Sequence, residues 1–185
     1  FKSLNYIIKL AMAIKTIITE PNKILRQKSL PVNKVGKEEQ RLMDEMLETM
    51  YDANGIGLAA IQIGVPKRII VMDISKNDEK KNPMYFVNPI IKNKNLETST
   101  YEEGCLSVPN FFAEVDRPKK CDVEYLDYYG KKKILKAEGL LATCIQHEMD
   151  HLEGILFIDY LSKLKKTIIV KKLSKKKDRP DRIIV

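Results

Sequence analysis

This chain of 185 residues holds two histidines, and they stand four apart in the run His147-Glu148-Met149-Asp150-His151. No other feature constrains the fold as much. Residues four apart stack on one face of an α-helix, so both imidazoles can reach a single cation. Glu148 projects near the same site, where it can take a proton from an activated water. The spacing predicts a helix over residues 139–153, with Leu140, Leu141, Cys144, Ile145 and Leu152 as its apolar residues and Gly154 at its end.

A catalytic metal centre needs a third protein ligand and an open position. No histidine remains to supply it. One zinc-protease pattern continues with a Gly three residues and a His six residues after the second His; Gly154 matches, but Phe157 stands at the last position. Another pattern takes a downstream Glu, and none follows Glu153. The zinc endopeptidase reading is weakened, and the third ligand is expected to be a cysteine or an aspartate. Cys144 lies one turn before His147 but seven residues from His151, roughly 10.5 Å of helix. Three ligands strung along one face fit poorly around a tetrahedral ion, so Cys144 reads as packing near the site. Cys121 falls in a strand-like run and reads as core. Cys105 follows Glu102-Glu103-Gly104, where backbone can approach closely, and is favoured over the others. One Cys and two His suit zinc or ferrous iron alike.

The rest of the chain supplies an α+β frame. Leu42, Met43, Met46, Leu47 and Met50 recur at helical spacing over residues 37–51, and Asn54-Gly55 can stop that helix. Residues 68–74, 85–91, 121–126 and 133–137 read as strands, the last two joined by a turn at 127–130. There is no regular βαβ alternation. The expected architecture is a single domain of mostly antiparallel strands around a central helix carrying the metal motif, with an N-terminal amphipathic helix. The run Gly55-Ile56-Gly57-Leu58-Ala59-Ala60 fits G-x-G-x-x-A. However, a helix precedes it and a strand follows, the reverse of a dinucleotide fingerprint. Its glycines instead let another backbone lie alongside, as when an extended peptide adds a strand.

Charge and cysteine usage exclude several classes. The net charge is +8, but residues 163–185 hold ten Lys and Arg against Asp178 and Asp181, so the body is neutral. A nucleic-acid-binding body is disfavoured, while the tail reads as a solvated Lys-rich terminus able to touch RNA or anionic lipid. No apolar run approaches the ~20 residues of a membrane span. Three cysteines make no disulfide framework, so a reducing compartment is expected. Residues 1–19 lack acids, carry Lys2, Lys9 and Lys15, and begin at Phe1, which resembles the end of an organellar transit segment. A structural-metal RNA-binding module is a third reading. The neutral body argues against it, as does Glu148 lying between the ligands.

Three segments stand in the order 55–62, 103–107 and 146–151, and together they resemble the signature motifs of the peptide deformylase family. The resemblance runs over residues 13–164, with residues 1–12 as an extension and 165–185 as a basic tail. It implies removal of the N-formyl group from the formylmethionine of nascent polypeptides, with release of formate. It implies Cys105, His147 and His151 as ligands of one divalent metal. Ferrous iron is expected, with zinc, nickel or cobalt able to replace it. It implies Glu148 as the base, with the Gln62 side chain and the Leu106 backbone N–H as donors to the developing oxyanion. Gly57 and Gly104, with Ile56, would bind the substrate main chain. Leu140, Cys144 and His147 would border the methionine pocket. Gln146 would support the first His ligand. Tyr101 and Phe112 depart from the family pattern, at the pocket border and beyond the first substrate residue. Bacterial relatives imply a ribosome contact through the basic tail. The extension, together with a Lys-, Asn- and Ile-rich composition lacking Trp, predicts an organellar enzyme of the apicoplast or plastid kind, with a mitochondrial or bacterial cytoplasmic origin as the alternative.

Overall fold

A computed structural model describes residues 13–75 and 79–177. The expected extension over residues 1–12 and the last eight residues of the basic tail lie outside the described residues. Helix α1 (Lys37–Asp52) comes first. Strands β1 (Gly57–Ala59), β2 (Ile69–Met72), β3 (Met84–Lys94), β4 (Thr98–Cys105), β5 (Val108–Pro118), β6 (Lys120–Leu126) and β7 (Lys132–Glu138) follow. Helices α2 (Leu140–Leu152) and α3 (Lys163–Lys177) close the chain, separated by a 3-10 turn at Phe157–Tyr160.

Five strands form one sheet in the order β1-β2-β3-β6-β7, and β4 pairs with β5 in a separate hairpin. Every named strand pair is antiparallel. The run Ile69-Ile70-Val71-Met72 shows why β2 is apolar on both faces. Ile70 and Met72 pack with Ala142, Cys144 and Ile145 of α2, whereas Ile69 and Val71 pack with Met43, Met46 and Met50 of α1. The sheet is thus covered by one helix on each side, and β2 needs no polar face. The Met stripe of α1 is core, as its periodicity implies.

The helix with the His-Glu-x-x-His run is mostly buried, contacting β1, β2, β5 and β7. Gly154 ends it at φ +74°, and a Cβ there would sit 2.5 Å from the Arg26 carbonyl oxygen. Both the backbone conformation and the close approach therefore require glycine.

Three elements depart from the sequence expectation. The hairpin β4–β5 and the short strand β1 form where no strand was expected. The boundary expected after Leu164 falls inside α3, whose Ile169 and Leu173 are buried against Phe157 and Ile158. No helix of the described residues is long and apolar enough to cross a membrane.

Candidate metal centre

The site forms where α2, the β4–β5 hairpin and the segment after α1 meet. Residue spacing on α2 turns His147 and His151 toward one side, with ring centroids 5.1 Å apart. The end of β4 brings Cys105 to them, its Sγ 3.3 Å from His151 Nε2. One ligand atom from each of Cys105, His147 and His151 lies within 4.8 Å of the others. Among the described residues no other trio of His, Cys, Asp or Glu gathers this way. The other cysteines go elsewhere. Cys121 is in the core cluster, and Cys144 is buried with its thiol 3.9 Å from the Ile56 carbonyl oxygen. Burial pushes the Cys144 thiol well above its ordinary pKa, so it stays protonated.

A carboxylate sets the orientation of the first imidazole. His147 Nδ1 lies 2.8 Å from Glu103 Oε2. Burial works to lower the His147 pKa, but its bonds to Cys105 and Glu103 hold it well above the ordinary imidazole value. With Nδ1 donating to the carboxylate, Nε2 is the atom that gives up its proton when a cation binds. Glu103 is held in turn by Arg117, whose Nε and Nη2 both donate to it. Burial alone would raise the Glu103 pKa, but the bonds from His147 and Arg117 outweigh it and hold the carboxyl below its usual value. The donor set of one thiol and two imidazoles fits a divalent transition metal.

Glu148 stands next to these groups, 4% exposed. Its Oε2 has no hydrogen-bond partner among the described residues. Burial pushes its pKa up to about 7. Gly57 makes room for it: a Cβ there would lie 2.8 Å from Glu148 Cδ and 2.9 Å from Cγ.

Gln62 is buried in a 3-10 turn, and its amide orientation is set from both ends. Oε1 accepts from Ala59 N at 2.8 Å, while Nε2 donates to Ser107 Oγ at 3.0 Å and lies 3.6 Å from Cys105 Sγ. The amide therefore presents N–H groups, not oxygen, toward the Cys105 side. Leu106 occupies the turn between β4 and β5, against Gly55.

Gln62, Glu103, Cys105, Leu106, His147 and Glu148 line a cleft of about 480 Å³. Ile56, Gly57, Gly104, Leu140 and Cys144 are all on its wall, together with Tyr101 and Phe112. Gly104 pairs with Phe112 in the hairpin, and the Phe112 ring covers the space a Cβ would need. Gln146 lies off the cleft, donating to the Pro118 and Ala142 carbonyl oxygens. It therefore fastens α2 to the end of β5. Ser107, Asp150 and Tyr160 were not singled out from sequence. Ser107 and Asp150 lie in segments already marked, one near Cys105 and the other between the two histidines, and only the fold brings Tyr160 to the site.

A model of the polypeptide deformylase family matches residues 14–167. The chain belongs to the polypeptide deformylase family. Its relatives include the peptide deformylase of Pelagibacter ubique, 74% identical over 174 residues that make up 94% of this chain and all of that one. That of Rhizobium meliloti is 56% identical over 164 residues, covering 89% of this chain and 94% of its own. The crystal structure of Ehrlichia chaffeensis peptide deformylase in complex with actinonin has a TM-score of 0.87 at 43% identity, covering 91% of this chain and all of that one. These deformylases are bacterial, and they overturn the expected apicoplast or plastid address. An acid-poor first segment and a Lys-, Asn- and Ile-rich composition report residue usage, which bacteria share. They carry no information on compartment. Membership also sets aside the zinc endopeptidase and the RNA-binding module. The chain is a peptide deformylase in activity, removing the N-formyl group from nascent peptides.

Proposed function

We propose that Cys105, His147 and His151 hold one divalent cation and that Glu148 is the general base of deformylation. The observation that carries this reading is the gathering of the three ligand atoms within 4.8 Å beside a buried carboxylate. The cation supplies Lewis-acid chemistry at the formyl group. Ferrous iron is the expected occupant, from the family resemblance.

The remaining work falls to the protein. Glu148, with its pKa near 7, accepts a proton from the attacking water and returns it to the leaving amine. Gln62 Nε2 and the Leu106 backbone N–H donate to the formyl oxygen as charge develops there. Their fixed orientation means little reorganisation is needed. Strand β1 is at the edge of its sheet and β4 has only one partner. Both can accept an extended peptide, with Gly57 and Gly104 offering their backbones and Ile56 beside them. Leu140 and Cys144 give the methionine side chain an apolar wall, with His147 at its end. An unbranched thioether suits such a slot.

Metal content tests the ligand assignment. Wild-type protein loaded with nickel should retain one ion per chain after desalting, whereas Cys105→Ala, His147→Ala and His151→Ala should each lose it. Full retention by any of the three would remove that residue from the ligand set.

The basic tail is proposed to touch ribosomal RNA. The support is α3, where Ile169 and Leu173 dock on the body while Lys163, Lys165, Lys171, Lys172 and Lys175 stay exposed. Binding to ribosomes should weaken steeply with salt and fall further when Lys171, Lys172 and Lys175 are all replaced by Glu. Hydrolysis of a free formyl peptide should not change. Salt-independent binding would contradict the proposal.

A further inference from the structure

Helix α2 and the β4–β5 hairpin supply the cation site, yet a third element reaches it. This is the 3-10 turn Phe157–Tyr160. At one end, the Phe157 ring stacks on the His147 imidazole, with centroids 6.3 Å apart and planes 25° apart. At the other end, the Tyr160 hydroxyl donates to Asp150 Oδ2 at 2.9 Å. The same oxygen accepts from Arg117 Nη1 at 2.8 Å. The Arg117 guanidinium carbon sits 5.0 Å from the centre of the Tyr160 ring. Arg117 passes its other N–H groups to Glu103, and Glu103 fixes His147.

We propose that Tyr160 is a positioning residue for His147, acting through Asp150, Arg117 and Glu103. The inference rests on the reading of His147 as a metal ligand. A guanidinium held only by Glu103 is anchored along one edge and can pivot about it. Asp150 adds a second anchor on Nη1, and Tyr160 holds that anchor while its ring covers the guanidinium face. Arg117 is 4% exposed but Tyr160 is half exposed. Removing the tyrosine would therefore let water compete for Asp150 and loosen the inner bonds. A partner bonded directly to a ligating His typically contributes 10–100-fold in metal affinity. Tyr160 acts from further out, so its effect should be smaller, about three- to tenfold.

The test measures nickel release into excess chelator from the loaded enzyme, alongside kcat and KM for formyl-Met-Ala-Ser. Tyr160→Ala should release nickel about three- to tenfold faster. Tyr160→Phe, which keeps the ring, should fall between it and wild type. KM should stay unchanged, because Tyr160 does not line the cleft. Leu173→Ala loosens the same corner without touching the chain of bonds, and should release nickel at the wild-type rate. Wild-type release by both Tyr160 variants overturns the proposal. So does equal acceleration by Leu173→Ala, which would mark general loosening. A wild-type protein that takes up no nickel overturns the metal-site reading, and this inference with it.

Discussion

Replacing Glu148 with Ala should lower kcat/KM for a formyl-methionyl peptide by about 10³-fold, the range expected for loss of a general base. Glu148→Gln should do the same. The amide keeps the shape of the side chain but cannot accept the proton. Both variants should still retain one nickel per chain, because Glu148 is not among the three gathered ligand atoms. That pairing matters, since lost activity with lost metal would only show that the site had collapsed. A variant keeping a tenth or more of wild-type activity would remove Glu148 from the role of base.

Gly57→Ala should be nearly as damaging, for a steric reason. The added Cβ would fall on the Glu148 carboxylate, 2.8 Å from Cδ and 2.9 Å from Cγ. Glu148 is a side chain and can yield, so the fold should survive. Yielding moves the base, however, and a displacement near 1 Å in a reacting group can cost about 10²-fold in rate. The expected result is a loss of that order in kcat with a thermal midpoint close to wild type. Alanine is otherwise better suited than glycine to a strand. Wild-type activity would show that Glu148 has room the structure does not suggest.

The site was more legible in the sequence than the frame around it. Two histidines at helical spacing, with a glutamate between them, mark a candidate metal site because helical geometry turns that spacing directly into proximity. The third candidate ligand was harder. Cys105 and His151 are 46 positions apart, and they meet only once the β4–β5 hairpin packs against α2. That hairpin escaped a period-two reading because its buried side chains include polar ones. Glu103 is the one buried residue of β4, and Arg117 is buried on β5. In hydrophobic patterning such positions look solvated. Helix α3 was hidden differently. Its apolar contacts come from Ile169 and Leu173 amid a lysine-rich surface, so it reads as a charged tail. Tyr160 carries no signal at all, and Asp150 stands in the His-Glu-x-x-His run only at one of its unspecified positions. Their significance lies in reaching one buried guanidinium, which no spacing reports.

The composition-based address failed because residue usage follows the genome and not the compartment. The family motifs did not share that weakness, since the matched family model spans residues 14–167, which include all three of them.

Deformylation by this protein is tested by product analysis of formyl-Met-Ala-Ser treated with the nickel-loaded enzyme, by mass spectrometry with a parallel formate assay. Deformylation should yield formate and intact Met-Ala-Ser in equal amounts, with acetyl-Met-Ala-Ser left largely untouched. Cleavage between the residues of the peptide, with no formate, would contradict it.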